Sequence, residues 1–327
     1  MKAVYFENGR AAWRERPVLP LDEGEVRLQV LLTGICHTDI ELLGGYQGFS
    51  GVPGHEFVGL IVEAPADRRL LGRRAVVEIN RGCGRCPICL AGEPRHCPER
   101  RVLGIRDWAG AMAEYVTAPL ANVHLVDDSI RDEEAVFVEP LAAALRLTEQ
   151  VSLAPSMRLA VLGDGKLGLL IALALKAVIP DVLLLGRHDK KLALASAQGV
   201  AGHKVSLDLT PSELAARLGQ FDLVVEATGR PDGLAWAMNL TRTRGTIVAK
   251  TTLRSQARLD LADLVVREIT LVGSRCGSFP AALAALKEKK LDVRPLIEAV
   301  YPFWKFDQAL DHARRPGTLK ILIRPES

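Results

Sequence analysis

The order of apolar and polar residues changes character near residue 140. Before it, short apolar segments such as VRLQVLLTG (26–34), FVGLIVEA (57–64) and RRAVVEI (73–79) are separated by turns rich in glycine and proline. Apolar segments of this length between such turns are typical of β-strands. The pattern therefore predicts a β-rich N-terminal region.

From about residue 141 onward, fully apolar runs alternate with longer helical patterns. The runs RLAVLG (158–163) and DVLLLG (181–186) lie on either side of the helical pattern KLGLLIALALKAV. Continuous apolar strands that alternate with helices indicate a parallel sheet with helices on both faces. The sequence therefore predicts an α/β fold here, and a length of 327 residues is enough for two domains.

One acidic residue interrupts an apolar run close to this change. Glu139 lies in AVFVEPLAAAL (135–145), and proline follows it directly. Because burying an unpaired carboxylate is costly, we expect Glu139 to have a partner or a function.

Composition excludes several classes of protein. The chain has 42 Lys and Arg against 39 Asp and Glu, and a net charge of +3 does not favour nucleic acid or an anionic membrane as a partner. The N-terminal MKAVYFENGR lacks the apolar region of a signal peptide, and the run LGLLIALAL (167–175) is half the length of a membrane span. We therefore expect a cytoplasmic protein whose six cysteines are metal ligands or catalytic thiols rather than disulfides.

Four of those cysteines form the most specific local motif. They are Cys83, Cys86, Cys89 and Cys97, with the spacing C-x2-C-x2-C-x7-C and with Gly and Pro between them. Four thiolates brought together by tight turns close a tetrahedral, structural zinc site. An iron–sulfur cluster is the alternative, but its ferredoxin-type spacing ends in x3-C-P rather than x7-C. The spacing therefore favours structural zinc.

Cys36 and His55 are the second metal candidate. Cys36 lies in GICHTDIE (34–41), and His55 lies in GHE (54–56). Cysteine, histidine and a carboxylate from separate segments are what a catalytic zinc site requires. Taken one at a time, each residue is also compatible with a place in the core, as a buried thiol and a hydrogen-bonded histidine.

A glycine motif in VLGDGKLGLLIALAL predicts a dinucleotide site, because it follows a predicted strand and opens a predicted helix. The first glycine makes a tight turn, the second lets a pyrophosphate approach the backbone, and the third lets helix and strand pack closely. The helix N-terminus then faces the phosphates with its partial positive charge. The expected contacts are Gly163, Gly165, Lys166, Leu167 and Gly168.

The end of the next strand indicates which dinucleotide binds. In NAD enzymes an acid roughly 20 residues on binds the ribose 2′-OH. The residue here is Gly186, 18 residues after the last glycine of the motif, and the basic residues Arg187, His188 and Lys191 are among those that follow. This pattern leaves room for a 2′-phosphate and supplies charge to bind it, so it predicts NADP. The alternative is an NAD site in which Arg187 stacks on adenine and Asp189 supplies the acid.

Together these motifs make the chain similar to the zinc-dependent medium-chain dehydrogenase/reductase superfamily. The resemblance covers essentially the whole chain. The motifs occur in the family's order: C-H-T-D (36–39), G-H-E (54–56), the four-cysteine loop (83–97), E-P (139–140) and G-x-G-x-x-G (163–168).

The resemblance implies a set of ligands for a catalytic zinc. Cys36 and His55 would bind the metal, and Glu56 is a direct ligand in some members of the family and lies behind the ligands in others. Asp39 would accept a hydrogen bond from the His55 ring and fix its tautomer. Alcohol dehydrogenases complete the set with another cysteine as the last ligand, whereas this chain has Glu139, as the polyol, sugar and threonine dehydrogenases do.

The resemblance also implies a route for the substrate proton. Thr38 would place its hydroxyl against the substrate oxygen and start a proton relay. Many alcohol dehydrogenases have a histidine five residues after the first zinc cysteine, where this chain has Glu41. Either Glu41 relays the proton, with or without His37, or the proton leaves through metal-bound water and Glu56 or Glu139. A purely solvated Glu41 is equally open.

For architecture, the family implies a GroES-like catalytic domain (1–142 and 278–327) and a doubly wound Rossmann cofactor domain (143–277), usually in a homodimer or homotetramer. The expected activity is zinc-dependent hydride transfer between NAD(P), with NADP preferred, and a secondary alcohol, polyol or sugar. One alternative is a zinc-free quinone or enone reductase, a branch that generally lacks both sets of zinc ligands. The other is a non-enzymatic dinucleotide sensor, which we would expect to have lost at least one ligand.

Overall fold

The structure is a computed structural model that describes residues 1–18, 20–252 and 256–325. Its Cα packing divides the chain into two compact units. The first contains Met1–Glu139, Ala282–Glu288 and Leu296–Ser327, and the second contains Pro140–Ala281 and Lys289–Pro295. Packing does not show which unit binds which ligand, so the predicted catalytic and cofactor domains stay a prediction.

The N-terminal part of the chain is rich in short strands, as the apolar pattern predicts. The strands are β1 Lys2–Glu7, β2 Arg10–Glu15, β3 Glu25–Ile35, β4 Glu56–Glu63, β5 Arg74–Val77, β6 Asn80–Arg81, β7 Arg101–Leu103, β8 Asp107–Trp108, β9 Tyr115–Pro119 and β10 Val123–Leu125. The helices are α1 His37–Leu43, α2 Pro87–Leu90, α3 Asp132–Ala135 and α4 Val138–Gln150.

Strands and helices then alternate through the middle of the chain. The strands are β11 Leu159–Leu162, β12 Val182–Gly186, β13 Ala201–Lys204, β14 Phe221–Glu226, β15 Thr241–Ala249 and β16 Thr270–Gly273. The helices are α5 Lys166–Lys176, α6 Asp189–Ser196, α7 Pro211–Leu218, α8 Gly233–Leu240, α9 Leu261–Val266 and α10 Phe279–Lys287. The C-terminal elements are β17 Ile297–Pro302, α11 Phe306–Arg314 and β18 Lys320–Arg324.

The main sheet of the first unit joins both ends of the chain. Its strand order is β10-β5-β4-β3-β18-β17, and β9 also pairs with β3. Strand β3 pairs antiparallel with β4, placing Gly34 opposite Glu56, and with β18, placing Ile35 opposite Ile321. The end of β3 and the beginnings of β4 and β18 therefore meet at one place in the sheet.

A buried apolar cluster holds the C-terminal segment to the N-terminal strands. Phe6 of β1, Ile35 of β3 and Leu42 of α1 pack in it with Phe306 of α11 and Ile321 of β18. Burying side chains of this size removes a large apolar area from water, which is the main favourable term in folding. The C-terminal segment is therefore an integral part of this unit.

The sheet of the second unit is parallel, which confirms the predicted α/β fold. Its order is β13-β12-β11-β14-β15-β16, and every neighbouring pair runs parallel. All four residues of β11 are buried, as expected for a strand covered on both faces. The strand order reverses at β11, and ligands of such sheets bind beyond the carboxyl ends of the strands at that reversal.

The sequence predicts no membrane span. Of the helices in the described part of the chain, none is both long enough and apolar enough to span a bilayer.

Candidate active site

The four-cysteine motif forms a compact sulfur cluster. The Sγ atoms of Cys83, Cys86, Cys89 and Cys97 all lie within 4.8 Å of one another, and those of Cys86 and Cys97 are 3.8 Å apart. Zn–S bonds of about 2.3 Å in a tetrahedron give a sulfur–sulfur separation of about 3.8 Å. The loop is closed at its base, where Arg81 of β6 pairs with Arg101 of β7.

Backbone N–H groups prepare the cluster for a cation. The N–H groups of Arg85 and Cys86 lower the pKa of Cys83 to about 6, so its thiolate is favoured near neutral pH. The N–H of Cys89 donates to Cys86 Sγ over 3.4 Å, and that of Cys83 donates to Cys97 Sγ over the same distance. Burial instead raises the pKa of Cys89 to about 11. Four sulfurs at this spacing fit zinc, which binds deprotonated cysteine and would favour the thiolate form of all four.

The second metal candidate is assembled by the pairing of β3 with β4. Cys36 directly follows β3, His55 directly precedes β4, and Glu56 is the first residue of β4. A donor atom of Cys36, one of His55 and one of Glu56 all lie within 4.8 Å of one another. His55 and Glu56 are buried. The structure therefore brings together a sulfur, a nitrogen and a carboxylate oxygen from separate segments.

Asp39 holds the two ligand-bearing segments together. Its Oδ2 accepts the N–H of Cys36 at 2.8 Å, and its Oδ1 accepts the N–H of Gly54 at 3.2 Å. The predicted contact with the His55 ring is longer, because Oδ1 lies 3.5 Å from Nδ1. Asp39 is fully buried, and its two carboxylate oxygens position the backbone of both ligand-bearing segments.

His55 is an incompletely satisfied buried ring. Within the described residues its Nδ1 has no hydrogen-bond partner. Burial opposes a charge on the ring, yet the nearby Asp39 carboxylate and Cys36 thiol raise the pKa of His55 well above its usual value. The same negative surroundings that favour a proton on His55 would favour a metal cation in its place. The neutral ring then donates the electron pair of one nitrogen to the metal.

Glu56 has a partner that the sequence analysis missed. The Lys320 ammonium donates a hydrogen bond to the Glu56 carboxylate, and the side chains are 4% and 1% exposed. Burial opposes the charge on Lys320, but Glu56 and Cys36 raise its pKa above the usual range. The available signal was a lysine inside the apolar LKILI of the tail, the same kind of signal that drew attention to Glu139.

Glu139 lies near this group but outside the three-donor cluster. It is the second residue of α4. Burial raises the pKa of its carboxyl to about 7, the Glu56 and Glu78 carboxylates add to the rise, and His55 and Lys320 oppose it. A carboxyl whose charge is disfavoured by two neighbouring acids would gain from a cation among them.

The residues predicted for proton transfer lie on α1. Thr38 Oγ1 is 3.7 Å from Cys36 Sγ, so its hydroxyl is beside the cluster. His37 Nε2 lies 3.6 Å from Glu41 Oε1, and these side chains are 75% and 40% exposed. Helix α1 therefore carries both the exposed pair and the hydroxyl beside the donors, while Asp39, Leu42 and Leu43 of the same helix are buried.

The three glycines of the dinucleotide loop differ in their surroundings. Gly163 has a φ of +114° that favours glycine, and a Cβ at Gly168 would lie 1.9 Å from the Gly163 carbonyl oxygen. A Cβ at Gly165, by contrast, would meet nothing within 4 Å. The backbone at Gly165 is therefore open to a ligand, at the residue that caps α5.

A pocket of about 250 Å³ lies against this loop and the end of β12. It is lined by Gly163 and Gly165 of the loop and by the predicted residues Gly186, Arg187, His188 and Lys191. Of the residues that the structure describes, the predicted contacts Lys166, Leu167 and Gly168 are not part of the pocket lining. Lys166 begins α5, and Gly168 is buried against the loop. The pocket therefore contains the glycines and the basic residues together.

Asp164, the second residue of the glycine motif, was not predicted to take part. It is 6% exposed, and its Oδ2 accepts the N–H groups of Arg187 and His188 at 2.9 and 2.8 Å. The same oxygen lies 2.9 Å from Nδ1 of the His188 ring. No signal in the sequence points to this contact, because its partners lie 23 and 24 residues further along the chain.

Known proteins match both halves of the chain. Residues 22–128 match the family model of the alcohol dehydrogenase GroES-like domain, and residues 165–288 match the model described as zinc-binding dehydrogenase. The predicted GroES-like and Rossmann-type folds are thereby confirmed.

Individual relatives cover nearly the whole length. D-arabinitol dehydrogenase 1 of Uromyces fabae is 29% identical over 99% of this chain and 97% of its own. D-altritol 5-dehydrogenase of Agrobacterium fabrum is 30% identical over 88% of each chain. A solved structure of a short chain alcohol dehydrogenase, rspB, from E. coli CFT073 with NADH has a TM-score of 0.92 at 25% identity, over 99% of each chain. The chain therefore belongs to the zinc-dependent medium-chain dehydrogenase superfamily.

Proposed function

We propose that this protein is a zinc-dependent oxidoreductase that transfers a hydride between NAD(P) and a secondary hydroxyl group of a polyol or sugar. The observation that carries the proposal is the group of Cys36, His55 and Glu56, with donor atoms within 4.8 Å of one another in a chain with a dinucleotide-type fold. The D-arabinitol and D-altritol dehydrogenases among its relatives support polyols as the substrate class.

The donors of the site fit zinc. Zinc binds cysteine sulfur, histidine nitrogen and carboxylate oxygen, and a catalytic site uses about three such ligands. Glu56 lies within 4.8 Å of the other two donors but is paired with Lys320, so we propose that it lies behind the metal ligands and that Glu139 completes the set with Cys36 and His55. The four cysteines 83, 86, 89 and 97 would hold a second, structural zinc.

The chain's own residues would orient the substrate and move its proton. When bound, zinc supplies Lewis-acid activation of the hydroxyl, and the nicotinamide supplies the hydride chemistry. The Thr38 hydroxyl, beside Cys36, would accept the substrate proton. The exposed pair of His37 and Glu41 would pass it to solvent. Glu56 is a poorer acceptor for this proton, because its carboxylate is bound by the Lys320 ammonium.

We propose NADP as the preferred cofactor. Strand β12 ends in Gly186 rather than in an acidic residue. The pocket there is lined by Arg187, His188 and Lys191. Arginine binds phosphate through two parallel hydrogen bonds, and basic neighbours add charge. Asp189, the alternative acid, is paired with Lys204 over 2.6 Å.

We propose a homodimer or homotetramer. Strand β16 is an edge of its sheet, and Leu271 on it is 38% exposed. The neighbouring helix α9 exposes Leu261, Val265 and Val266 by 65%, 63% and 80%. An exposed edge beside apolar side chains suits pairing with another copy of the chain. Light scattering at several protein concentrations measures the assembly.

We also propose a cytoplasmic location. Both proposed zinc sites use cysteine ligands, and none of the six cysteines, all of which the structure describes, forms a disulfide. Thiol ligands persist where the compartment keeps cysteine reduced. Fractionation of the cells that make the protein tests this.

The decisive experiment is a substrate screen with the zinc-loaded protein. Polyols, sugars and simple alcohols are offered with NADP or NAD, and reduced nicotinamide is followed by absorbance. We expect turnover of a secondary alcohol, with the higher kcat/KM for NADP. A preference for NAD of about tenfold or more would overturn the cofactor assignment. Fewer than one zinc per chain together with no turnover would favour a non-enzymatic dinucleotide sensor.

Two variants locate the metal. Glu139→Ala should lower zinc occupancy or kcat, because it removes a proposed ligand. Glu134→Ala, which removes an acid of α3 five residues before Glu139, is the matched control and should retain both. Full activity with full zinc in Glu139→Ala would remove Glu139 from the site.

A further inference from the structure

The carboxylate of Asp164 connects the glycine loop to the turn that follows β12. Its Oδ2 accepts the N–H groups of Arg187 and His188 and lies within hydrogen-bond distance of the His188 ring. Three donors therefore meet one oxygen of a residue that is 6% exposed. Burial would raise the pKa of this carboxyl, but the hydrogen bonds from His188 and Arg187 hold it below the usual range, so it stays ionised.

Asp164 occupies the space that a strand-end acid would need. A Cβ at Gly186 would lie 2.5 Å from both Cβ and Oδ2 of Asp164. The strand-end acid of NAD enzymes accepts a hydrogen bond from the ribose 2′-OH. Asp164 is poorly suited to that role, because it is buried and its Oδ2 already accepts the N–H groups of Arg187 and His188.

The contact with His188 sets the orientation of the ring. An ionised carboxylate can only accept hydrogen bonds, so Nδ1 must carry the hydrogen that it shares with Asp164. Nε2 is then the ring nitrogen left for a ligand, and the side chain is 47% exposed at the pocket. The second acid of the pocket, Asp232, is paired with Arg230 through two bonds of 2.8 and 2.9 Å.

We propose that Asp164 is a positioning residue for the 2′-phosphate of the cofactor. It holds the Arg187–His188 turn against the glycine loop, and a His188 ring that carries a proton on both nitrogens donates from Nε2 to the phosphate. This extends the specificity site from the end of β12 to the glycine motif itself. The proposal rests on the NADP preference proposed above, because NAD lacks the 2′-phosphate.

Equilibrium binding of two adenosine ligands tests the proposal on the zinc-loaded full chain. Adenosine 2′,5′-bisphosphate carries the 2′-phosphate and AMP lacks it, and calorimetry gives the Kd of each. In Asp164→Ala we expect the preference for the bisphosphate to fall by about tenfold, because the turn and the ring both lose their acceptor. The affinity for AMP should change by less than about threefold, since it does not use the turn.

Three further variants separate positioning from general damage. Asp164→Asn keeps one oxygen for the two N–H groups, but it removes the negative charge and replaces Oδ1, 3.1 Å from His188 Nδ1, by an NH2 group, so we expect a loss of about threefold. In a His188→Ala background, Asp164→Asn should have no further effect on the preference, because the two act through one contact. Asp189→Asn removes an exposed acid next to His188 and should leave both affinities unchanged.

Two results would overturn the role of Asp164. One is a preference that is unchanged or increased in both Asp164 variants. The other is an equal loss for both ligands in Asp164→Asn, which would indicate a merely structural carboxylate. A wild-type chain without preference for the bisphosphate would overturn both this proposal and NADP selection, whereas the dehydrogenase activity is tested separately by turnover.

Discussion

The Lys320 ammonium donates a hydrogen bond to the Glu56 carboxylate inside the first unit, although 264 residues separate them. Lys320 is the first residue of β18, and Glu56 is the first residue of β4. Strand β3 lies between those two strands, and a Cβ at Gly34 of β3 would lie 2.7 Å from Glu56 Oε2. The glycine thus leaves the space in which the two charges meet.

Loss of Lys320 should destabilise the metal-free chain. Lys320→Met leaves a buried carboxylate without its cation, and breaking a buried pair costs about 3–5 kcal/mol. Urea denaturation measures the free energy of unfolding. The matched control is Lys320→Met with Glu56→Gln, which removes both charges and should recover most of the loss. Equal stability of wild type and Lys320→Met would show that the pair contributes nothing.

Glu139 should make the metal-free chain less stable as pH rises. Its carboxyl has a pKa of about 7 in the folded chain, above the 4.5 of a free glutamate, because of burial. The folded state therefore binds the proton more tightly than the unfolded state, and this stabilisation is full below pH 4.5 and lost as pH rises through 7. We expect Glu139 to account for about 1–3 kcal/mol of the decrease.

Glu139→Gln is the control for that profile, since glutamine does not titrate. Its stability, measured by denaturation between pH 4.5 and 8 with a chelator present, should fall less steeply than that of the wild type. Parallel profiles for the two chains would argue against a raised pKa at Glu139. Added zinc should flatten the wild-type profile, because a cation favours the ionised carboxylate.

The two metal sites should respond separately to loss of a cysteine. Cys89→Ser should remove the zinc of the four-cysteine loop and lower Tm, because that site closes a loop and has no open position. Cys36→Ser should remove the other zinc and abolish turnover while lowering Tm less. Metal content and calorimetry measure both effects. Loss of all zinc from either single variant would contradict two independent sites.

Two glycines of the dinucleotide loop should tolerate alanine differently. A Cβ at Gly168 would lie 1.9 Å from the Gly163 carbonyl oxygen, so Gly168→Ala should unfold or distort the second unit. Gly165→Ala places its methyl in open space, so the chain should keep its Tm and lose affinity for the dinucleotide. Thermal unfolding and nucleotide titration check the pair. Normal nucleotide binding by folded Gly165→Ala would contradict a pyrophosphate at this position.

Installing a strand-end acid should require removal of Asp164. In Gly186→Asp alone, the new side chain would meet Asp164 at 2.5 Å, so we expect weak binding of both dinucleotides. The double variant Asp164→Gly with Gly186→Asp makes room for the acid and should favour NAD, whose ribose 2′-OH it can bind. The ratio of kcat/KM for NAD and NADP measures the change. A switch to NAD by Gly186→Asp alone would show that the space is not limiting.

Local patterns in the sequence were enough to predict much of this protein. The apolar runs around residues 158–186 predicted the parallel sheet, and the glycine spacing placed a tight turn between β11 and α5. The cysteine spacing predicted a cluster whose four sulfurs do lie together. These features depend on residues close in the chain, where backbone geometry and periodicity limit the possible structures.

Only the tertiary structure decided how distant charges are paired. It joined Lys320 to Glu56, directed Asp164 at the Arg187–His188 turn, and left Glu139 outside the group of three donors. The sequence marked Glu139 as an unusual acid, and Lys320 carried the same signal, but a charge in an apolar run does not name its partner. Partners are set by strand pairing and by the free energy of burying charge, which depend on residues far apart in the chain.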